Sequence, residues 1–246
     1  MLDSLRQILV VRHRWLGFVL PMAVFLILTS LEPKPTPAGE EAAAGLSIPY
    51  DSYPAAYVLK IALVVSAMIL VAPIYRSIPL GVSPWAIVVG VVGVFLWVGI
   101  CSLGLEARYL PTWLVGGTRS AFNPLAEMAD RPALAYGFLA VRLFGLACVV
   151  PVIEEFFLRG FLTRYLSDDH WEQVPFGRAA WFPTAMTIAA AAMMHPGELL
   201  AALAWFSLVT NLYGRTGNLW DAVAAHAVTN LLLGVYVIGS GAWHFL

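Results

Sequence analysis

Long apolar runs separated by short polar stretches set the pattern of this chain. The first run, Trp15–Leu31, follows a basic stretch containing Arg6, Arg12, His13 and Arg14. It reads either as a signal peptide, with Ala42-Ala43-Ala44 as a crude cleavage context, or as a retained helix anchored by the arginines. The run is longer than the roughly 7–15 apolar residues of a usual signal core, which favours the retained helix. Residues 32–54, with several prolines and glycines and with Glu32, Glu40, Glu41 and Asp51, predict a loop. A second span follows at Ala55–Tyr75, with Lys60 close enough to its start to snorkel. Pro84–Leu105 forms a third, and the mixed segment 106–132 offers an interfacial stretch at Tyr109–Val115.

The fourth span begins near Ala133 and stays helix-compatible to Leu166. One crossing needs only about 20 residues, so Pro151 is expected to kink it. Ala180–His195 and Glu198–Tyr213 are each 16 residues, or roughly 24 Å of helix. Neither comfortably crosses a hydrocarbon core of about 30 Å. The turn His195-Pro196-Gly197 is therefore expected inside the membrane envelope, where irregular backbone must be buried in protein or face water. The seventh span is Leu219–Gly239, with Asn218 as N-cap and Asp221 in a capping-box-like position.

This pattern predicts an all-α, polytopic transmembrane protein. Composition agrees: 60% of the 246 residues are hydrophobic and 12% charged, which fits no ordinary soluble domain. The net charge of −1 and the lack of a basic tract argue against nucleic acid as a partner. Cys101 and Cys148 both lie in apolar stretches and read as small hydrophobes, not as a disulfide framework. The arginines at 6–14, 76, 159, 164, 178 and 215 alternate consistently with cytoplasmic sides. That places the N-terminus inside and the C-terminus outside. No internal repeat or second domain interrupts the chain. Residues 1–132 and 133–246 form successive parts of one integrated membrane domain.

Candidate chemistry is concentrated in Glu154-Glu155-Phe-Phe-Leu-Arg159, which continues an apolar run. A charge near a bilayer centre costs about 3 kcal/mol or more, so such groups usually line a polar cavity and act there. Glu155 and Arg159 share a helix face and can pair. Glu154 is turned about 100° away and is not sequestered in the same manner. A carboxylate held by arginine mainly orients its neighbours, whereas a desolvated one suits a general base near neutral pH. Glu154 is thus the candidate reactive carboxylate, with Glu155 and Arg159 in support. The competing reading is a purely structural ion pair at a helix end. His226 and Asn230 share one face of the last span, either as interhelical hydrogen-bond partners or as part of a site. Arg142 either lines the cavity or pairs with a carboxylate of another helix. The chain contains no H-E-x-x-H zinc motif, no G-x-S-x-G elbow, and no P-loop or Rossmann fingerprint.

Three separated elements line up in order: Glu154-Glu155-x-x-x-Arg159, His195 at the end of a short helix, and His226-x-x-x-Asn230. Arg215-Thr-Gly-Asn-Leu-Trp220 precedes the last. This order and spacing resemble the CPBP family of intramembrane glutamate proteases. That family holds the CAAX prenyl proteases of the Rce1 type and the bacteriocin-processing enzymes. The resemblance covers residues 133–239. The size and N-terminal extension are similar to the bacterial CAAX protease-related subgroup associated with exosortase and PEP-CTERM sorting systems. The resemblance implies a bundle of about seven or eight transmembrane helices with a polar cavity open to the cytoplasmic side. It implies that Glu154 and His195 activate a water for attack on a peptide carbonyl, and that His226 and Asn230 stabilise the oxyanion. The substrate would be a membrane-associated or lipid-modified protein, with no metal or cofactor, in a bacterial inner membrane. One departure stands out: Ala191 occupies the position, four residues before the histidine, where the family commonly has phenylalanine. A smaller side chain there is expected to widen or reshape the pocket. Two other readings compete: a metal-dependent hydrolase using the glutamates and histidines as ligands, and a non-catalytic membrane scaffold or immunity factor.

Overall fold

The computed structural model describes residues 7–34, 49–111 and 122–245. The Ala42–Ala44 context and most of the Tyr109–Val115 stretch lie outside the described residues. Seven helices of thirteen residues or more build the bundle: α1 (Trp15–Ser30), α2 (Tyr53–Leu70), α3 (Pro84–Ser102), α4 (Pro132–Tyr165), α5 (Trp181–Met193), α6 (Leu199–Thr216) and α7 (Leu219–Ser240). No strand occurs among the described residues. α2, α3, α4 and α7 are each long and apolar enough to cross a membrane, and the pair α5–α6, bent by 106°, makes a further broken or re-entrant span. Trp85, Phe95 and Trp181 are among the large apolar side chains on the outer surface. Such a surface suits lipid, not water.

α3 packs along α7 and α6, and α5 closes against α6. Small residues set the closest approach. A Cβ on Gly90 would lie 2.6 Å from Val228 Cβ, and one on Gly93 would lie 2.6 Å from both Thr229 Oγ1 and Trp205 Nε1. Membrane helices have little hydrophobic drive to associate with one another, so backbone proximity of this kind is a main source of packing energy. A second cluster joins Met22 of α1, Tyr53 and Tyr57 of α2, and Phe138 of α4 with Phe122.

α4 runs through Pro151 as one 34-residue helical span. A π-helical turn at Gly145–Val149 comes just before the α-segment that carries Pro151 near its start. A wide turn there accommodates the missing N–H and the ring. A second π-helical stretch covers Phe156–Leu162. It directly follows the glutamate pair.

Two helix starts are satisfied by carboxylates from distant segments. Asp221 accepts from Ser83 N at 2.6 Å and from Ser83 Oγ at 3.0 Å, at the start of α3. Asn218 caps α7 through Trp220 N, as its sequence position suggested, but the Asp221 carboxylate reaches across to α3. Glu106 accepts from Leu200 N at 3.0 Å, at the start of α6. Free N–H groups and the helix dipole favour an anion at both places. Asp221→Ala should therefore lower stability by about 1.5–3 kcal/mol, the usual worth of hydrogen bonds to a charged group. A thermal melt of the detergent-solubilised protein measures it.

Two sequence expectations change. Lys60 does not snorkel: it is buried, 2.7 Å from Glu32 Oε1, and lies 4.6 Å from the ring centres of both Phe25 and Tyr57. A carboxylate and two π-faces hold the cation inside the bundle. Arg164 is a second charge held inside the fold. It is buried between Trp171 and Phe176 and donates to the carbonyls of Gly160, Glu172 and Val174. Arg142 does not line the cavity described below; its guanidinium donates to the Phe122 carbonyl at 2.9 Å. Neither Cys101 nor Cys148 forms a disulfide among the described residues.

Candidate active site

The glutamate pair sits where α4 passes from α- to π-geometry, and both carboxylates are buried. Glu155 is fully buried and forms an ion pair with Arg159, one turn on. Arg159 is itself fixed by the Phe206 carbonyl at 3.2 Å and Thr210 Oγ1 at 3.0 Å, both on α6. The π-geometry leaves carbonyls that the ordinary ladder would use. Thr163 Oγ1 donates to Leu158 O at 2.8 Å, and Tyr213 Oη donates to Arg159 O at 3.2 Å. The second bond ties α4 to α6 beside the glutamate pair.

His226 of α7 stands between the two carboxylates. Its Nδ1 lies 3.0 Å from Glu155 Oε1 and its Nε2 lies 3.8 Å from Glu154 Oε2. The imidazole is wedged against Trp205, with ring centres 4.5 Å apart. Trp205 in turn donates through Nε1 to Thr229 Oγ1 at 3.1 Å, and Thr229 Oγ1 lies 2.9 Å from the Gly90 carbonyl. The chain of contacts Gly90–Thr229–Trp205 thus fixes the ring that fixes the histidine. The short separation of α3 and α7 at Gly90 and Gly93 makes it possible.

Asn230, one turn beyond His226, donates from Nδ2 to the Leu146 carbonyl at 2.9 Å. That carbonyl belongs to the first π-helical turn of α4. One amide hydrogen of Asn230 is therefore committed to the scaffold and one is left. His195 lies in the break between α5 and α6, with Nδ1 3.0 Å from the Ala191 carbonyl. Its ring meets Trp97 of α3 at 5.6 Å and Phe206 of α6 at 5.5 Å. Phe206 also contacts His226, at 6.5 Å between ring centres. The two histidines so face one aromatic group formed by Trp205, Phe206 and Trp97.

Ala191 is 1% exposed and belongs to the same buried cluster as Trp97 and Trp205. The aromatic rings against His195 come from α3 and α6. Nothing in the spacing of the sequence marked Trp97, one tryptophan among nine. The near signal was Gly90 and Gly93, whose repeat on one apolar face points to close helix packing just before it.

A cavity of about 510 Å³ lies between α4, α5 and α6. Arg159, Thr163, Thr187, Ser207, Thr210 and Asn211 contribute polar groups to its wall. Arg159 thus has the cavity on one side and Glu155 on the other. Among the described residues no group of three His, Cys, Asp or Glu is arranged to hold a metal ion.

Residues 136–232 match a family model described as Type II CAAX prenyl endopeptidase Rce1-like. The segment is similar to this family. The Rce1-like segment begins in α4, ends in α7, and contains Glu154, Glu155, Arg159, His195, His226 and Asn230. Trp97 and the rest of α1–α3 lie outside it. No curated protein and no solved structure matches the chain.

Proposed function

We propose that this protein is an intramembrane endopeptidase that hydrolyses a peptide bond in a membrane-associated or lipid-modified protein. The observation that carries this reading is His226 held between two adjacent buried glutamates, with Glu155 also paired with Arg159. Buried ionisable groups at membrane depth default to function. These lie within a segment similar to a family of endopeptidases.

In this reading Glu154 is the general base. It takes a proton from a water molecule, with His195 helping to hold that water. The hydroxide attacks the peptide carbonyl carbon and the carbonyl becomes a tetrahedral oxyanion. The C–N bond then breaks, and the proton passes from Glu154 to the departing amine. Glu155 and Arg159 fix the His226 ring, and the second amide hydrogen of Asn230 is available to the oxyanion. Such donors act strongly because water is excluded from the site. No covalent intermediate is involved. The alternation of arginines supports a cytoplasmic N-terminus, and the subgroup resemblance supports a bacterial inner membrane.

The test is cleavage of a panel of membrane-anchored and prenylated reporter peptides by the purified protein, with and without chelator. Cleavage that survives chelation is expected. Loss of cleavage on chelation would move the metal-dependent reading ahead of this one, and absence of any cleavage would leave the scaffold reading in its place.

A further inference from the structure

His226 and Asn230 each commit part of their hydrogen-bonding capacity to the fold. His226 has both ring nitrogens turned to carboxylates, 3.0 Å from Glu155 and 3.8 Å from Glu154. Asn230 has given one amide hydrogen to Leu146 O. At 3.8 Å the Nε2–Glu154 contact is too long for a hydrogen bond, so the pair offers at most His226 Nε2 and the second amide hydrogen of Asn230. Acyl-transfer sites act by aiming preorganised donors at the developing charge, and each one removed costs about 10²–10³ in rate.

Buried side-chain donors without an acceptor among the described residues are Arg159 Nε and Trp97 Nε1. Arg159 is immobilised through its other nitrogens by Glu155, Phe206 O and Thr210. Trp97 has no such tie. It is 8% exposed, it sits on α3 one turn beyond Gly93, and its ring stands against His195. Trp205 lies next to it at 6.3 Å and makes an instructive contrast. The same N–H group on Trp205 is committed to Thr229. A buried donor left unsatisfied costs about 1–3 kcal/mol, so an indole hydrogen is seldom placed inside a protein without a partner in some state. Phenylalanine would supply the same wall against His195 without that cost.

We infer that the indole N–H of Trp97 is a substrate-contacting donor, which completes the oxyanion site by hydrogen bonding to the carbonyl oxygen of the peptide being cleaved. The inference rests on the endopeptidase reading above. It adds to the site a residue from α3, outside the Rce1-like segment. It also gives α3 a role in the reaction besides packing: the Gly90 and Gly93 approach to α7 sets how far Trp97 reaches toward His195.

Trp97→Phe and Trp205→Phe make the same chemical edit at two neighbouring sites and separate the roles. Both are compared with wild type for thermal stability and for cleavage of a reporter that wild type processes. Trp97→Phe is expected to keep the wild-type melting temperature and KM while kcat falls by about 10²-fold, as for loss of one oxyanion donor. Trp205→Phe is expected to melt lower, because a hydrogen bond within the fold is lost. A Trp97→Phe protein with wild-type kcat overturns the inference while the endopeptidase reading stands. A drop in melting temperature equal to that of Trp205→Phe also overturns it, since the N–H would then serve the fold. Wild-type protein that cleaves no reporter overturns the endopeptidase reading and this inference with it. Should Trp97→Phe fail to fold, ¹⁵N-indole spectra of wild type decide: saturation with an uncleavable analogue of the reporter should shift the Trp97 N–H signal and leave that of Trp205 in place. An unmoved Trp97 signal overturns the inference.

Discussion

Replacing Glu154 by glutamine is expected to slow peptide cleavage by about 10²–10⁴-fold, the usual contribution of a general base, with little change in melting temperature. Glutamine has the same shape and keeps an oxygen for hydrogen bonding, but it cannot accept the proton of a water molecule. His226 Nε2 stands 3.8 Å from Glu154 Oε2, beyond hydrogen-bond distance. Glu155→Gln is a different experiment despite the adjacent position. Glu155 is fully buried, bonded to His226 at 3.0 Å and paired with Arg159. That variant should lose both activity and stability. The two are compared by rate on a processed reporter and by thermal melt. Full cleavage by Glu154→Gln would sink the assignment of the base. Equal stability losses in both variants would mean that the carboxylates do one structural job.

The difference between these glutamates was legible in the sequence because it depends only on helical angle. Arg159 lies four residues from Glu155 and five from Glu154, so a regular helix already directs the pair. The seven apolar runs were equally legible. A membrane demands long apolar helices, and little else in a sequence imitates them. The bend between α5 and α6 followed from arithmetic on length, and the structure has it at 106°. What the sequence hid is local geometry that depends on neighbours. The two π-helical stretches of α4 have no sequence signature, yet the first reconciles Pro151 with an unbroken span and exposes the Leu146 carbonyl that takes one hydrogen of Asn230. Lys60 was misjudged because its partner Glu32 is in the preceding polar segment, and pairing across a helix junction is invisible to hydropathy. Asp221 was read as a local cap because its spacing from Asn218 fits one. Its carboxylate goes to Ser83, 138 residues away.

The largest effect on stability should come from Arg159→Met. This change leaves the Glu155 carboxylate at zero exposure with its principal counter-ion gone. Breaking a buried pair from one side costs about 3–5 kcal/mol, because the remaining charge is neither solvated nor matched. The bonds to Phe206 O and Thr210 Oγ1 are lost as well. Removing both charges is the informative control. The double variant Glu155→Gln, Arg159→Met has no uncompensated ion, so much of the lost stability should return, with about 1 kcal/mol still missing for the α6 hydrogen bonds. Activity should not return with it. His226 would keep only a neutral partner at its Nδ1, and the ring would no longer be fixed between two carboxylates. Thermal melts of the two singles and the double give the coupling energy, and reporter cleavage gives the rates. Recovery of stability without recovery of rate places Glu155 and Arg159 as the groups that position His226 for the reaction. Recovery of both would mean that the ion pair serves the fold alone and that His226 is held by Trp205 and its own helix.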